Sequence, residues 1–205
     1  QTPIFMLSDL DLGMNLWMTK PFEYPEKPFD RGKVLSAERI EELKGDWGRY
    51  RDVDGDGVTY RTLPGTEHPL AGYFTRGSGH DENARYTESG EVYARNLDRL
   101  SRKFETIREA MPDPIVDGNS SKIGIIAFGS TLNAILEARE RLRGAGLEVD
   151  FLRVRALPLS DALTDFVRKH QRLYLVEMNR DGPLYDLPRL QLPPDLVARL
   201  SPHRR

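Results

Sequence analysis

The residues of this chain best placed to do chemistry are His80, Asp81 and Glu82. They lie in the loop Tyr73-Phe-Thr-Arg-Gly-Ser-Gly-His-Asp-Glu-Asn-Ala-Arg-Tyr-Thr87, beside Gly72, Gly77 and Gly79. Glycines that can take φ > 0 lose much entropy on ordering, so a loop this rich in them is costly unless a site or a docked surface uses it. An imidazole titrates near neutrality, and His80 with two acids beside it fits general acid–base work or substrate contact. The same side chains, with Arg76 and Arg85, also fit a salt-bridged anchor for the loop. Both readings stay open from the residues alone.

Three weaker motifs accompany it. Asp52-Val-Asp-Gly-Asp-Gly57 imitates the start of a calcium loop, but Leu63 stands at the twelfth position where a bidentate Glu is required, which favours a Gly-rich turn. Gly129-Ser130-Thr131, between an expected strand and helix, fits either an anion-binding turn or a plain helix cap by Ser130 or Thr131. Glu177 and Asn179 fall where open α/β sheets place ligands, or simply bond the next turn. None of the four histidines (His68, His80, His170, His203) pairs at metal-ligand spacing, so no metal site is expected. With no Cys, the chain offers no disulfide, thiolate metal site or cysteine nucleophile.

The elements that must carry these residues follow from periodicity. Pro3 to Asp9 is an apolar run expected to form a strand buried on both faces, and its lack of nearby partners suggests an earlier part of its domain. Residues 19 to 34 read as an extended connector. Ser36 caps a helix from Ala37 to Lys44 ended by Gly45. Residues 46 to 90 read as turns with room for one hairpin. Val92, Leu97, Leu100, Phe104, Ile107 and Met111 predict a helix over 91 to 111 with one greasy face, stopped by Pro112 and Pro114. A polar linker then sets a boundary near residue 120. Strands at 122 to 128, 148 to 155 and 172 to 177 alternate with helices at 132 to 144 and about 161 to 170, which predicts an α/β fold with a mainly parallel sheet. A turn, a short helix and a Pro-Pro helix follow, with the final strand of the domain expected to be missing.

The net charge of −2 and a pI near 6.1, with acids and bases interspersed, give no attraction for nucleic acid. No apolar run approaches a membrane span, and a cytoplasmic protein is expected. A non-catalytic docking module, built on the loop and the greasy helix, and a Rossmann-like nucleotide binder, built on Gly129 to Thr131, are the competing functional classes.

The sequence resembles the alpha subunit of 2-oxoacid:ferredoxin oxidoreductases, most closely the 2-oxoglutarate type. The matching stretches are Leu7-Ser-Asp-Leu-Asp-Leu-Gly-Met-Asn15, Asp54-Gly-Asp-Gly57 with Tyr60-Arg-Thr-Leu-Pro-Gly65, Phe74-Thr-Arg-Gly-Ser-Gly-His-Asp-Glu82, Arg99 with Lys103, and Phe128-Gly-Ser-Thr131. The resemblance implies three parts. Residues 1–18 end a pyrimidine-binding domain for thiamine diphosphate, 19–120 form a connector with the Gly-rich loop and long helix, and 121–205 form a transketolase C-terminal-like three-layer α/β domain. It implies oxidative decarboxylation of a 2-oxoacid to an acyl-CoA with electrons passed to ferredoxin. Thiamine diphosphate and Mg would sit in the assembled enzyme, and a 4Fe–4S cluster on the beta subunit, none ligated by this chain. Partners would be that beta subunit, the N-terminal remainder of the alpha subunit, and ferredoxin, in a heterotetramer or larger. His80, Asp81 and Glu82 would line or brace the cofactor cleft, with Asp9, Asp11 and Arg76 flanking it. The family's Tyr-Pro-Ile-Thr-Pro segment, its pyrimidine-activating glutamate and its substrate-binding arginine have no match here, so the chain alone is expected to be inactive.

Overall fold

The strand-forming runs of the last third assemble into one sheet because their apolar residues alternate between two faces that helices can cover. The computed structural model describes residues 2–204 except 28, 45, 76, 78 and 119, with only the backbone of Arg204. The expectations for Arg76 as a cleft residue and Gly45 as a helix stop fall outside the described residues. Two compact units divide the chain: Thr19–Ile107 with the residues before Phe5, and Phe5–Met18 with Arg108–Arg205. The division falls between Ile107 and Arg108, inside the long helix.

The second unit holds five strands: β1 (Ile115–Asp117), β2 (Ile123–Phe128), β3 (Asp150–Val154), β4 (Arg172–Glu177) and β5 (Leu200–Arg204). Their order is β1-β3-β2-β4-β5, parallel throughout except for β1, which runs antiparallel to β3. On one face Ile126, Leu152, Leu173 and Leu175 pack with Leu163, Phe166 and Val167 of a helix spanning Asp161–Lys169, and with residues of the helices at Pro183–Gln191 and Pro194–Val197. On the other face Ile125, Ala127 and Phe151 pack with Ile135, Leu132 and Leu142 of the helix Thr131–Gly144. The result is the expected three-layer α/β arrangement.

In chain order the helices are α1 (Leu10–Met14), α2 (Ala37–Glu42), α3 (Gly90–Ala110), α4 (Thr131–Gly144), α5 (Asp161–Lys169), α6 (Pro183–Gln191) and α7 (Pro194–Val197). The sheet's two edge strands depart from expectation. β1 lies between the prolines that stop α3 and the polar linker, where no strand is expected. β5, in a stretch where no strand is expected, contains Pro202, tolerated because an edge strand need not donate every amide.

Buried polar groups stitch this unit. The Asp150 and His170 side chains are 5% and 2% exposed and face each other, Nε2 to Oδ2, at 3.1 Å. His170 Nδ1 lies 2.6 Å from the Phe166 carbonyl, and Ser121 donates its amide to Asp150. Arg139, also buried, donates to the Val149 carbonyl at 2.9 Å and to the carboxylate of Asp117, tying α4 to β1 and β3. The Arg139 hydrogen bond holds the Asp117 carboxyl below its usual range.

The opening residues form no strand. Residues 2–9 have no regular structure, and Ile4, Phe5 and Leu7 are exposed, with Met6 96% exposed, since no neighbouring strand is there to pair with them. Asp9 instead caps α1 by accepting the Leu12 amide at 2.9 Å.

The first unit has a small core of Leu35, Ile40 and Ala71 with Leu43, Trp47 and Tyr60. Ser36 caps α2 as expected, accepting from the Arg39 amide. Residues 46–89 are turns tied by two isolated bridges, Val34 to Arg61 and His80 to Tyr86, with no strand among the described residues of that stretch. α3 forms where a helix is expected. Its apolar stripe is largely outside, with Tyr93 61% and Phe104 60% exposed and Leu97 and Leu100 also exposed. The residue it buries is Arg99, 8% exposed. Polar residues facing the loops, rather than the greasy ones, hold this helix in its unit.

Candidate functional site

In the first unit the candidate site is built where α3 meets the turns around Tyr50, Gly57 and His80. Gly57 lies flat on the helix: its φ is +77°, and a Cβ there would stand 2.6 Å from the Arg99 carbonyl and closer still to the Lys103 amide. Only glycine permits that approach at that angle. The contact lets Arg99 donate to the Gly57 carbonyl at 3.1 Å and Thr106 donate to the Asp56 carbonyl at 2.6 Å. Asp52 accepts both Arg102 nitrogens, at 3.1 and 3.0 Å, and the Gly57 amide at 3.0 Å.

The calcium-like acids are answered by an ammonium. Lys33 Nζ lies 2.5 Å from Asp54 and 2.7 Å from Asp56 and donates to the Val58 carbonyl. Burial opposes the Lys33 charge, but these carboxylates still raise its pKa, and the Lys33 hydrogen bond lowers that of Asp54. Among the described residues no three His, Cys, Asp or Glu side chains converge as a metal site.

The structure separates the three residues of the triplet into different tasks. Asp81 accepts the amides of Asn83 and Arg85, both at 2.9 Å, and so closes its own turn. Glu82 pairs with Arg51 at 3.0 Å on the exposed side, and its carbonyl accepts the Tyr50 amide. That bond needs Gly48, where a Cβ would fall 2.6 Å from the Glu82 carbonyl oxygen. His80 stacks on the Tyr50 ring with centroids 3.9 Å apart and planes inclined by 23°. Its Nδ1 lies 3.1 Å from the Asp81 carbonyl, an acceptor only, so the neutral ring carries its hydrogen on Nδ1 and presents Nε2 as a lone pair. Asn96 of α3 donates to the His80 carbonyl at 2.7 Å and fixes the backbone. Among the described residues His80 Nε2 has no hydrogen-bond partner, while Asp81 is spent on the fold.

Arg49 joins the same cluster. It donates to Thr59 at 2.9 Å and to the Tyr73 hydroxyl at 3.2 Å, and lies 5.0 Å from the Tyr50 ring centroid. Arg99 lies 6.0 Å from that centroid. Burial pushes the Arg99 pKa down, opposed first by the Asp52 carboxylate and helped by repulsion from Arg49 and Arg102. Burial followed by repulsion from Arg99 and Arg49 does the same to Lys103. In the sequence Arg99 and Lys103 stand out only through the family resemblance, and Arg49 not at all. The signal that could have found them is Arg99 and Lys103 four apart on one helix beside a glycine-rich turn.

In the second unit Asp9 meets the Gly129-Ser130-Thr131 turn. An added Cβ at Gly129 would lie 3.8 Å from an Asp9 carboxylate oxygen. The Leu12 amide first, then the hydroxyl and amide of Ser130, hold the Asp9 carboxyl below its usual value. Ser130 makes no side-chain cap, and Thr131 donates its hydroxyl to the Phe128 carbonyl. The α4 turn expected to hold an anion or a hydroxyl cap is therefore faced by a carboxylate of the same chain. Asp11 lies exposed in α1 with its carbonyl accepting from the Asn15 amide. Glu177 is buried and caps α6 through the amides of Leu184 and Tyr185, both at 3.2 Å, with Asn179 donating to it.

No family model matches the chain. Curated relatives do, and they are oxidoreductase subunits. The chain is 30% identical over 192 residues, 90% of its length, to 2-oxoacid:ferredoxin oxidoreductase 2, subunit alpha, of Aeropyrum pernix. It is 27% identical over 161 residues, 76% of its length, to the 2-oxoacid:ferredoxin oxidoreductase subunit alpha of Saccharolobus solfataricus. It spans 28% and 24% of those subunits, in their C-terminal part. Its fold is similar to that of a 2-oxoglutarate:ferredoxin oxidoreductase from Magnetococcus marinus, solved with 2-oxoglutarate, coenzyme A and succinyl-CoA bound. The TM-score is 0.63 at 24% identity, over 77% of this chain and 27% of that one. The chain is a homologue of the alpha subunits of 2-oxoacid:ferredoxin oxidoreductases.

Proposed function

We propose that this chain forms part of the alpha subunit of a thiamine-diphosphate-dependent 2-oxoacid:ferredoxin oxidoreductase of the 2-oxoglutarate type. The observation that carries the reading is the 30% identity sustained over 90% of the chain. In that enzyme a 2-oxoacid is decarboxylated oxidatively to an acyl-CoA and ferredoxin takes the electrons. Thiamine diphosphate, Mg and the 4Fe–4S cluster are held by other polypeptide, the beta subunit above all, which accords with a chain that has no Cys. The organic chemistry is the cofactor's; this chain's part is to position and to exclude water. His80, held by Tyr50 and Asn96 with Nε2 presented, accepts a hydrogen bond from substrate or cofactor at the cleft. Asp81 and Glu82 brace that loop, and Asp9 holds the opening segment against the α4 turn.

Two exposed apolar faces support membership of a larger assembly. Contiguous exposed apolar surface of this extent marks interaction sites. The segment from Ile4 to Met18 exposes Ile4, Phe5, Met6, Leu7, Leu16, Trp17 and Met18, and the α3 stripe Tyr93, Leu97, Leu100 and Phe104 has the 4-3-4 spacing of a helix seam. No helix among the described residues is long and apolar enough to cross a membrane.

The test is turnover of the assembled enzyme, full-length alpha subunit with beta subunit, followed as 2-oxoacid- and CoA-dependent ferredoxin reduction. His80→Ala is expected to lower turnover without loss of assembly. Wild-type turnover in a fully assembled His80→Ala enzyme removes His80 from the cleft.

A further inference from the structure

The His80 imidazole is fixed in more ways than its loop needs in order to close. Its backbone lies in a ring of main-chain bonds: Gly79 accepts the Thr87 amide at 3.1 Å, Asp81 donates to the Arg85 carbonyl at 2.8 Å, and His80 bridges to Tyr86 between them. A Cβ at Gly79 would collide with the Thr87 carbonyl oxygen, so glycine alone admits this closure. From the helix side Asn96 donates to the His80 carbonyl at 2.7 Å. The side chain then carries two constraints of its own. Stacking on Tyr50, with centroids 3.9 Å apart and planes inclined by 23°, sets the plane of the imidazole. The Asp81 carbonyl, 3.1 Å from Nδ1, sets its rotation within that plane.

Tyr50 is pinned in turn. Its amide donates to the Glu82 carbonyl at 2.9 Å across Gly48, where a Cβ would fall 2.6 Å from that oxygen. The guanidiniums of Arg49 and Arg99 lie 5.0 and 6.0 Å from its ring centroid, within reach of the π face. Ordering a loop and two rings this tightly costs conformational entropy, and the result is one ring nitrogen held in a single direction. We infer that Tyr50 and Asn96 are positioning residues that aim Nε2 of His80 at the reacting group, Tyr50 through the face of its ring and Asn96 through the His80 backbone. The inference rests on the role given to His80 above and adds the residues that act through it. Nε2 of the neutral ring accepts from a hydroxyl or an amine and repels a carboxylate oxygen. Loss of its aim therefore slows the reaction without loosening the 2-oxoacid, because the interaction is one of alignment rather than of substrate binding.

The test is a double-mutant cycle in the assembled enzyme, with Tyr50→Leu, Tyr50→Phe, Asn96→Ala and His80→Ala in the full-length alpha subunit, and Tyr50→Leu and Asn96→Ala each combined with His80→Ala. Steady-state ferredoxin reduction gives kcat and the 2-oxoacid KM for each. Tyr50→Leu and Asn96→Ala are each expected to lower kcat about tenfold with KM unchanged, while Tyr50→Phe, which keeps the ring, restores the wild-type rate. In the His80→Ala background neither substitution should lower kcat further, since both act through the missing imidazole. Should Tyr50→Leu fail to assemble, the cycle with Asn96→Ala carries the test. Assembled Tyr50→Leu and Asn96→Ala enzymes at the wild-type rate, beside a slow His80→Ala enzyme, overturn the inference and leave the role of His80 standing. Losses that multiply in the double variants also overturn it, because they mark a structural effect independent of His80. A His80→Ala enzyme at the wild-type rate overturns the role of His80 and the inference together.

Discussion

Replacing Asp150 tests the physical account of the second unit most sharply. The Asp150 carboxylate and His170 imidazole are nearly sealed from water, and the Phe166 carbonyl requires the hydrogen of His170 Nδ1. One further proton lies between His170 Nε2 and Asp150 Oδ2, while the Ser121 amide donates to the same oxygen. Asp150→Ala strips the partner from a buried ring nitrogen and from a backbone amide together. Removing one member of a buried pair costs about 3–5 kcal/mol, against about 1 kcal/mol for one ordinary hydrogen bond. Asp150→Asn keeps the shape and can donate to Nε2 of the neutral ring, so its cost should stay near about 1–2 kcal/mol. For a unit of this size a loss of 3 kcal/mol lowers the melting temperature by more than about 10 °C. Urea unfolding of the chain followed by circular dichroism, with slopes compared to exclude a change in the unfolded state, measures both variants. Equal losses for Ala and Asn, each below about 1 kcal/mol, would refute the reasoning.

Further outcomes follow from single contacts. Gly57→Ala forces a side chain into the backbone of α3 at a left-handed φ and should cost at least about 1–3 kcal/mol, read as a lower urea midpoint; an unchanged midpoint contradicts the close packing. Glu177→Ala removes the acceptor for the Leu184 and Tyr185 amides and should cost about 1–2 kcal/mol, while Glu177→Gln should recover part of it. Asp54 has its folded pKa depressed below 3.8 by Lys33, so its stabilisation is present above that value and fades as pH falls through the lower folded value. Lys33→Met should therefore flatten the acid limb of the stability profile, and an identical acid limb would show that the pair contributes nothing.

The alternating strands and helices from Ile123 to Glu177 were legible in the sequence because each apolar run has one period and one partner layer. β1 was not, because three residues between Pro114 and a polar linker carry no periodic signal and exist as a strand only by pairing with β3. β5 was hidden by Pro202, which argues against a central strand yet is harmless at an edge. The α3 helix and its apolar stripe were legible; which side the unit covers was not. Periodicity shows which residues are greasy but not which face the unit itself covers, and here Arg99 and Asn96 make the internal contacts. At the site, His80 was legible from its neighbours, while its stacking on Tyr50 and the guanidiniums of Arg49 and Arg99 around that ring arise from tertiary contacts of high sequence separation.

The central claim is that this chain works as a piece of a 2-oxoacid:ferredoxin oxidoreductase alpha subunit. Stopped-flow absorbance of the iron–sulfur chromophore after mixing the assembled enzyme with 2-oxoglutarate tests it directly, comparing enzyme that contains residues 1–205 with enzyme from which they are deleted. The account predicts 2-oxoglutarate-dependent bleaching only when the chain is present. Bleaching at the same rate without it would contradict the account.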